Sequence, residues 1–235
     1  AYLLTGTDEH GAKIKQAAAA AGVSPKDYAD TISAQFRELW KHLDIRYDDF
    51  IRTTEPRHTA KVQAVFAQML KAGHIDKGRY SGYYCVSCET FWTQTEAAAD
   101  ENGRRLCSNA DCRRPLQLVE EDSYFFRLSR FQKSLLDHYA AHPDFLRPAH
   151  RANEILRFVE GGLQDISVSR SSFDWGIPLP VDRSHVVYVW FDALMNYLTA
   201  TGFGLPAEAL SKAGQDKRRA GLPTWPADLH IIGKD

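Results

Sequence analysis

The chain has 235 residues, 44% of them hydrophobic and 25% charged, and a formal net charge of −1. This composition is that of an ordinary globular protein, and the length is sufficient for one large domain or two modest ones. So small a net charge excludes a global basic field, so a nucleic-acid contact would need a local patch or a segment outside this chain. No apolar run approaches the roughly 20 residues that span a bilayer, which excludes a membrane-spanning helix.

The first predicted elements alternate between strand and helix. Tyr2–Leu4 is a short apolar run, which predicts a buried strand. Ser24 is a suitable N-cap and Pro25 a suitable first helical residue, and apolar residues follow them at helical spacing. A second helix is predicted from about residue 54, with its apolar residues facing inward, and it ends at Gly73, a good left-handed C-terminal residue.

The middle of the chain breaks this alternation. From about His74 to Leu118 it is rich in Gly, Tyr, Cys and polar residues, and it has no helical stripe of useful length. Two helix-like segments follow, around Phe131–His138 and His150–Val159. We therefore predict an insertion in a sheet domain, with three successive segments: 1–73, 74–165 and 166–235.

Two further apolar runs, Val186–Trp190 and Leu229–Ile232, predict strands after the insertion. Continuous apolar runs are typical of strands covered on both faces, so the sequence predicts an α/β fold with a doubly wound parallel sheet. Each of the three runs leads to an acid: Asp8, Asp192 and Asp235. A single such acid is more often a helix cap than a ligand, but three of them at the edge where open α/β sheets bind ligands favour one shared cleft.

All four cysteines lie within one short segment, as Cys85-x2-Cys88 and Cys107-x4-Cys112. Two close pairs separated by a short loop are typical of a tetrahedral zinc site. The alternatives are two disulfides or four unrelated buried thiols, and disulfides would need an oxidising compartment. A closed four-sulfur site leaves no position for substrate, so we predict a structural Zn²⁺. The wide spacing of the second pair leaves the zinc geometry open.

Seven segments of the chain resemble the class I aminoacyl-tRNA synthetases, and among these the bacterial type of methionyl-tRNA synthetase. One such match would be weak evidence, whereas seven in the order of the family are strong evidence, and they cover nearly the whole chain. The segments are TGTDEHG at 5–11, YCVSCETF at 84–91, YFFRLS at 124–129, DISVSR at 165–170, WGIPLP at 175–180, VYVWFDALMNYL at 187–198 and WPADLHIIGKD at 225–235.

The resemblance implies a Rossmann-like parallel sheet split by a connective-peptide insertion that binds zinc through residues 85–112. It implies ATP-dependent activation of methionine to methionyl-adenylate and transfer of the methionyl group to tRNA(Met), with Mg²⁺ accompanying ATP. It also implies a cytoplasmic protein with neither a membrane nor DNA as partner. The alternatives are another class I synthetase, for isoleucine, valine, leucine or cysteine, and a catalytically inactive zinc-containing tRNA-binding protein.

The resemblance also implies roles for single residues. Asp8 would bind the methionine α-ammonium, with Arg170 beside it to set the charge pattern of the pocket. An aromatic wall suits a thioether, since each sulfur–aromatic contact contributes roughly 0.3–1.5 kcal/mol. The chemistry requires no protein nucleophile, so we assign no catalytic residue. The implied methionine-binding residues are Asp8, Arg170, Trp190, Ala193 and Tyr197, and the implied ATP-binding residues are Gly233 and Asp235.

Two motifs of the family, H-x-G-H and K-M-S-K-S, do not occur in these 235 residues. The chain also opens within an apolar stretch and stops just after one, so we interpret it as an internal segment of a longer protein. The two motifs supply much of the positive charge and many of the backbone donors that hold the triphosphate. We therefore expect this segment by itself to form no methionyl-adenylate.

Overall fold

The structure, a computed structural model, describes residues 1–202 and 225–232. The helices are α1 Ala12–Ala20, α2 Pro25–His42, α3 Pro56–Lys71, α4 Gln132–Ala141, α5 Ala149–Glu160, α6 Val189–Leu194 and α7 Asn196–Thr201, with a 3₁₀ helix at Leu128–Phe131. The strands are β1 Leu4–Thr7, β2 Asp49–Arg52, β3 Ile75–Cys85, β4 Thr90–Trp92, β5 Ala98–Ala99, β6 Arg105–Leu106, β7 Gln117–Phe126, β8 Ile166–Ser167, β9 Ser169–Arg170 and β10 Val186–Val187. Among these residues, no helix has both the length and the apolar character needed to cross a membrane.

The two helices predicted near the N-terminus are confirmed. Helix α2 begins at Pro25, and the Ser24 hydroxyl accepts a hydrogen bond from the main-chain N–H of Asp27 at 3.1 Å. Helix α3 ends at Lys71, shortly before Gly73, whose φ is +73°. The apolar stripe of α2 is only partly covered, because Leu43 at its end remains 57% exposed.

The strands β1 and β2 pair in parallel, with Gly6 opposite Ile51. The first strand begins two residues later than predicted, at Leu4, and continues to Thr7, so that Asp8 directly follows it. Among the described residues, parallel pairing is confined to β1 and β2, since the other strand pairs are antiparallel. We predicted that ligands bind at the edge of the sheet where its parallel strands end. In the structure, the end of β1 forms this edge.

An alanine at Gly6 is expected to destabilise the β1–β2 pair. A Cβ at this position would lie 1.9 Å from the main-chain oxygen of Ile51, which cannot move aside unless the strands separate. Overpacking of this kind costs about 2 kcal/mol, measurable by urea denaturation. At the control position Gly73, with φ +73°, no atom lies within 4 Å of an added Cβ, so alanine should cost only about 1 kcal/mol of backbone strain. Equal losses in the two variants would contradict this reading of the strand contact.

The middle of the chain forms an antiparallel sheet in the order β4-β3-β7-β8. Strands β3 and β7 pair over a long register that runs from Ile75 opposite Phe126 to Tyr84 opposite Gln117. The predicted absence of helices between residues 74 and 118 is confirmed, as are the two helices that follow, α4 and α5. This sheet brings the cysteine-bearing loops after β3 and before β7 to one end.

One apolar core joins α3 to this sheet and to the segment that follows it. Phe66 of α3 is fully buried, and its ring lies 5.8 Å from that of Tyr124 on β7 and 5.9 Å from that of Phe191 on α6. Helix α6 is therefore held against α3 and β7 by edge-to-face aromatic packing. The buried members of the core are Val62, Phe66, Ile75, Tyr124, Val168, Ile177, Leu179 and Val187.

The predicted strand Val186–Trp190 is wrong in its second half. Only the first two residues form a strand, β10, and it pairs antiparallel with β9. Helix α6 begins at Val189, and the N–H of Asp192 donates to the carbonyl of Tyr188 at 3.0 Å. A short apolar run does not by itself separate a strand from a buried helix, and here the buried positions of α6 are spaced three and four residues apart.

The predicted strand Leu229–Ile232 is also wrong, because none of its residues is in a strand. Leu229 and Ile231 are 73% and 82% exposed, and no strand in the described ranges pairs with this segment. Without a partner to accept its backbone hydrogen bonds, an apolar run does not become a strand. Gly233 and Asp235, which follow it, lie outside the described residues.

Candidate active site and cysteine cluster

Asp8 directly follows β1 and has an exposed side chain. Even so, the surrounding protein removes enough solvent to raise its pKa, and the nearby Asp192 carboxylate raises it further, while His58 and His10 oppose these effects. A carboxylate with a raised pKa beside a second carboxylate is a site where a cation is favoured. The position of Asp8 therefore suits an ammonium ligand.

Glu9, the next residue, has a structural role instead. Its buried carboxylate accepts two hydrogen bonds from the Arg52 guanidinium, at 2.6 and 3.0 Å, and another from the Thr54 hydroxyl. The indole N–H of Trp175 donates to the main-chain carbonyl of Glu9 at 2.6 Å. Glu9 thus fixes the loop between β1 and α1, so that its neighbour Asp8 is held in one place.

A buried His–Asp–His network lies behind Asp8. Asp192 of α6 is fully buried, and its two carboxylate oxygens contact His10 Nδ1 at 2.6 Å and His58 Nε2 at 2.8 Å. The other ring nitrogen of His58 lies 3.0 Å from the Thr199 hydroxyl on α7. Burial by itself would raise the pKa of Asp192, but the hydrogen bonds from the two histidines outweigh it and hold that pKa below its usual value. The network joins the loop after β1, α3, α6 and α7.

Replacing Asp192 with asparagine is expected to destabilise the protein by about 2 kcal/mol, because an amide cannot accept from both buried imidazoles. Since the folded-state pKa of Asp192 is depressed, its contribution is fully present above the unfolded value near 3.8 and is lost as the pH falls below it. In thermal melts, the melting temperature of the variant should therefore lie below that of the wild type at neutral pH, and this difference should become smaller in acid.

Asp174 supplies the matched control for this experiment. It forms an ion pair with Lys15 at 2.5 Å, but its side chain is 86% exposed. Asp174→Asn should change the melting temperature very little, because exposed pairs are screened by water. A loss from Asp192→Asn no larger than that from Asp174→Asn would contradict a stabilising role of the network.

The three predicted pocket residues on the third segment lie on helices, not on a strand. Trp190 and Ala193 belong to α6 and Tyr197 to α7, and their spacing of three and four residues gives them one common helical face. Trp190 is 51% exposed, whereas Ala193 is buried. The ring of Tyr197 lies 4.5 Å from that of His230, edge to face. Trp190 and Tyr197 thus place two aromatic side chains on the helical face that also carries Ala193.

A residue of the cysteine-bearing loop also reaches this face. The main-chain carbonyl of Glu89 accepts hydrogen bonds from the Trp190 indole N–H, at 3.1 Å, and from the Tyr188 hydroxyl. A Cβ at Gly11, whose φ is +104°, would lie 2.5 Å from Glu89 Oε1, so the Glu89 carboxyl lies against the loop that carries Asp8. Burial raises the pKa of Glu89, as does the charge of Asp8 to a smaller extent.

Arg170 is almost completely buried between two aromatic rings. Its guanidinium carbon lies 4.0 Å from the centre of the Phe91 ring and 3.9 Å from that of Tyr188, and burial lowers its pKa. We predicted Arg170 beside Asp8. Among the described residues, however, the carboxylate that pairs with it is Glu121, at 3.8 Å. Arg170 therefore packs against Tyr188, the residue that directly precedes α6.

A cavity of about 400 Å³ lies between α1 and the antiparallel sheet. Its lining includes Lys15 and Gln16 from α1, Tyr84 and Val119 from the sheet, and the buried Arg170. Of the residues implied to bind methionine, Arg170 lines this cavity, whereas Asp8, Trp190, Ala193 and Tyr197 do not. It is therefore separate from the face that carries Trp190.

The structure brings the four predicted metal ligands together. All four sulfur atoms lie within 4.8 Å of one another, with 3.6 Å between those of Cys85 and Cys112 and 3.8 Å between those of Cys88 and Cys107. A tetrahedral zinc with Zn–S bonds of about 2.3 Å requires sulfur–sulfur distances of roughly 3.8 Å. The cysteines are free, not disulfide-bonded, and their geometry fits one metal ion.

The family model described as tRNA synthetases class I (M) matches residues 1–235, the whole chain. The chain belongs to this family. Its structure accordingly has the class I synthetase fold, with mixed α and β content.

Named relatives within the class I synthetases agree with this assignment. Methionine–tRNA ligase of Thermotoga maritima is 47% identical over 234 residues, which are 100% of this chain and 35% of that protein. Methionine–tRNA ligase of Caldanaerobacter subterraneus subsp. tengcongensis is 47% identical over 232 residues, 99% of this chain and 34% of that protein. The chain thus spans about a third of the length of the curated relatives that it matches.

A solved synthetase structure is similar across almost the entire chain. The crystal structure of Mycobacterium tuberculosis methionyl-tRNA synthetase bound by methionyl-adenylate matches with a TM-score of 0.85 and 44% sequence identity. The match covers 99% of this chain and 43% of that one. The backbone arrangement described above is therefore similar to that of this synthetase over almost the whole chain.

Two residues near the site were not singled out from the sequence. His58 repeats at intervals of four with Val62 and Phe66 on α3, a spacing that would have predicted a buried histidine facing the core. Glu89 carries no such signal, because its contacts are made by its main-chain carbonyl across the fold. The spacing of residues along the sequence therefore does not predict a contact between a main-chain carbonyl and side chains that are distant in the chain.

Proposed function

We propose that the protein carrying this chain activates methionine with ATP to form methionyl-adenylate and transfers the methionyl group to tRNA(Met). One observation carries this proposal most directly: the Asp8 carboxylate follows β1 close to Asp192 of α6, the helix that also presents Trp190 and Ala193. An anion and an aromatic wall match the two ends of methionine. The names of the relatives support the same substrate.

We propose that Asp8 binds the α-ammonium of methionine. A charge-assisted hydrogen bond there fixes which end of the amino acid points towards ATP. Trp190 and Tyr197, with Ala193 between them, surround the thioether, which gains from sulfur–aromatic contacts. Arg170 contributes to the charge pattern behind Tyr188, which lies 3.9 Å away.

The division of the chain follows the same proposal. Residues 1–73 and 166–235 form parts of a Rossmann-like catalytic domain, and residues 74–165 form a connective-peptide insertion. Structural Zn²⁺, held by the four cysteines, would stabilise the segment 85–112, which has too few apolar residues to fold firmly by itself.

Gly233 and Asp235 bind ATP, which is accompanied by Mg²⁺. We place the protein in the cytoplasm, with neither a membrane nor DNA as partner.

The proposed reaction needs no nucleophile from the protein. The methionine carboxylate attacks the α-phosphorus of ATP and displaces pyrophosphate. A hydroxyl of the 3′-terminal ribose of tRNA then attacks the methionyl carbonyl and displaces AMP. The residues described here act by holding the amino acid in line for these attacks, and such positioning can account for a large part of a rate enhancement.

The test uses a polypeptide of the relatives' length that carries residues 1–235, called the extended protein below. We expect methionine to stimulate exchange of pyrophosphate into ATP by this protein. Isoleucine, valine, leucine and cysteine serve as controls for the other class I synthetases and should not stimulate it. Exchange with one of these instead of methionine would overturn the substrate, and no exchange with any of them would favour an inactive tRNA-binding protein.

A further inference from the structure

The main chain at Glu89 is in the left-handed conformation, with φ +49°. A residue other than glycine is strained in this region and keeps the conformation only where its surroundings enforce it. Glu89 lies directly between Cys88 of the metal-ligand set and Thr90, the first residue of β4. The surroundings that enforce its conformation therefore include the cysteine cluster.

The loop around Glu89 is closed on both sides. The Thr90 hydroxyl donates to the carbonyl of Cys88 at 2.9 Å, and Thr90 pairs with Cys85 in the β3–β4 register. The sulfur of Cys88 lies 3.8 Å from that of Cys107. The loop is thus a short hairpin whose two ends, Cys85 and Thr90, pair with one another, and Cys88 within it belongs to the cysteine cluster.

The same residue contacts the amino-acid pocket. A carbonyl oxygen has two lone pairs, and the Glu89 carbonyl uses both, one for the Tyr188 hydroxyl and one for the Trp190 indole N–H at 3.1 Å. Trp190 is 51% exposed, so packing alone does not fix its ring. This hydrogen bond is the polar contact that sets the ring's orientation.

We propose that Glu89 is a positioning residue that transmits the geometry of the four-cysteine cluster to Trp190 through its main-chain carbonyl. Metal binding at the cluster then orients one wall of the amino-acid pocket. Without the metal, the loop between Cys85 and Thr90 relaxes, φ of Glu89 leaves the left-handed region, and the carbonyl turns away from α6. The amino-acid ligand in this inference rests on the proposed function, but the link between cluster and indole does not.

Two substitutions at Glu89 separate its main chain from its side chain. Proline has φ fixed near −65° and cannot adopt +49°, whereas glycine adopts it freely. In the extended protein, Glu89→Pro should shift the Trp190 indole N–H resonance and weaken methionine binding roughly three- to tenfold, the effect of losing one hydrogen bond. Glu89→Gly should preserve both properties. Trp190→Phe identifies the resonance, and elemental analysis establishes that each variant retains its metal.

Removal of the metal by a chelator gives a second measurement, which decides the matter if Glu89→Pro does not fold. The Trp190 indole resonance should shift, whereas that of Trp40, which lies on α2 with its ring against Phe36 of the same helix, should not. An unchanged Trp190 resonance after metal loss, or equal behaviour of Glu89→Pro and Glu89→Gly, would overturn the inference. Failure of the wild-type protein to bind methionine would instead overturn the proposed function.

Discussion

Asp8→Ala in the extended protein is expected to weaken methionine binding about a hundredfold. A hydrogen bond between charged groups contributes roughly 1.5–3 kcal/mol, and the substrate ammonium would lose its anionic partner. The Asp8 side chain is exposed, so the same substitution should have little effect on the melting temperature. Calorimetric titration with methionine gives the affinity, and a thermal melt gives the stability.

Asp8→Asn provides the matched control, because it keeps the shape of the side chain and removes only the charge. It should lose nearly as much affinity as the alanine variant. The raised pKa of Asp8 also predicts that methionine affinity in the wild type falls on acidification through a pH above the ordinary aspartate value of 3.8, since only the carboxylate attracts the ammonium. Near-normal affinity in Asp8→Ala would leave Asp8 as a loop residue only.

The purified protein is expected to contain one zinc ion per chain, and Cys88→Ser is expected to lose it. Zinc binding to a four-sulfur site contributes roughly 10 kcal/mol or more to the folding of the segment that holds it. Its loss should therefore loosen residues 85–112 while leaving β1, β2 and α3 largely intact. Elemental analysis measures the metal, and hydrogen exchange measures the local loosening.

Ser87→Ala is the control for this experiment, since Ser87 adjoins Cys88 but has no sulfur. It should retain the metal and the normal exchange pattern. A wild-type protein without zinc, or a Cys88→Ser protein with its full metal content, would show that the four thiols are not a zinc site. The 3.6 and 3.8 Å gaps between sulfurs would then need another explanation.

Features that depend on neighbouring residues could be predicted from the sequence. The start of α2 follows from Ser24 and Pro25, because an N-cap hydroxyl and a preset φ act within one turn. The cysteine cluster follows from the spacing of two close pairs, because metal geometry restricts which spacings are possible. The position of Asp8 at the end of β1 follows from the change in polarity after Leu4.

Features that depend on distant partners could not be predicted in this way. Val189 and Trp190 are in a helix because α3 and β7 supply a surface for α6, and their own side chains are equally suited to a strand. The pairing of Arg170 with Phe91 and Tyr188 joins three separate parts of the chain. The family resemblance supplied roles for several of these residues but not the contacts that support them.

The buried contact between His58 and Asp192 joins residues 134 positions apart. At a synthesis rate of about 5–20 residues per second, the ribosome needs roughly 7–27 s to make the intervening chain. During that interval, α3 exists with an imidazole that has no carboxylate to contact and with Val62 and Phe66 not yet covered by the later segment. The first third of the chain must therefore remain soluble in an incomplete state, and its packing becomes final only after Asp192 has left the ribosome.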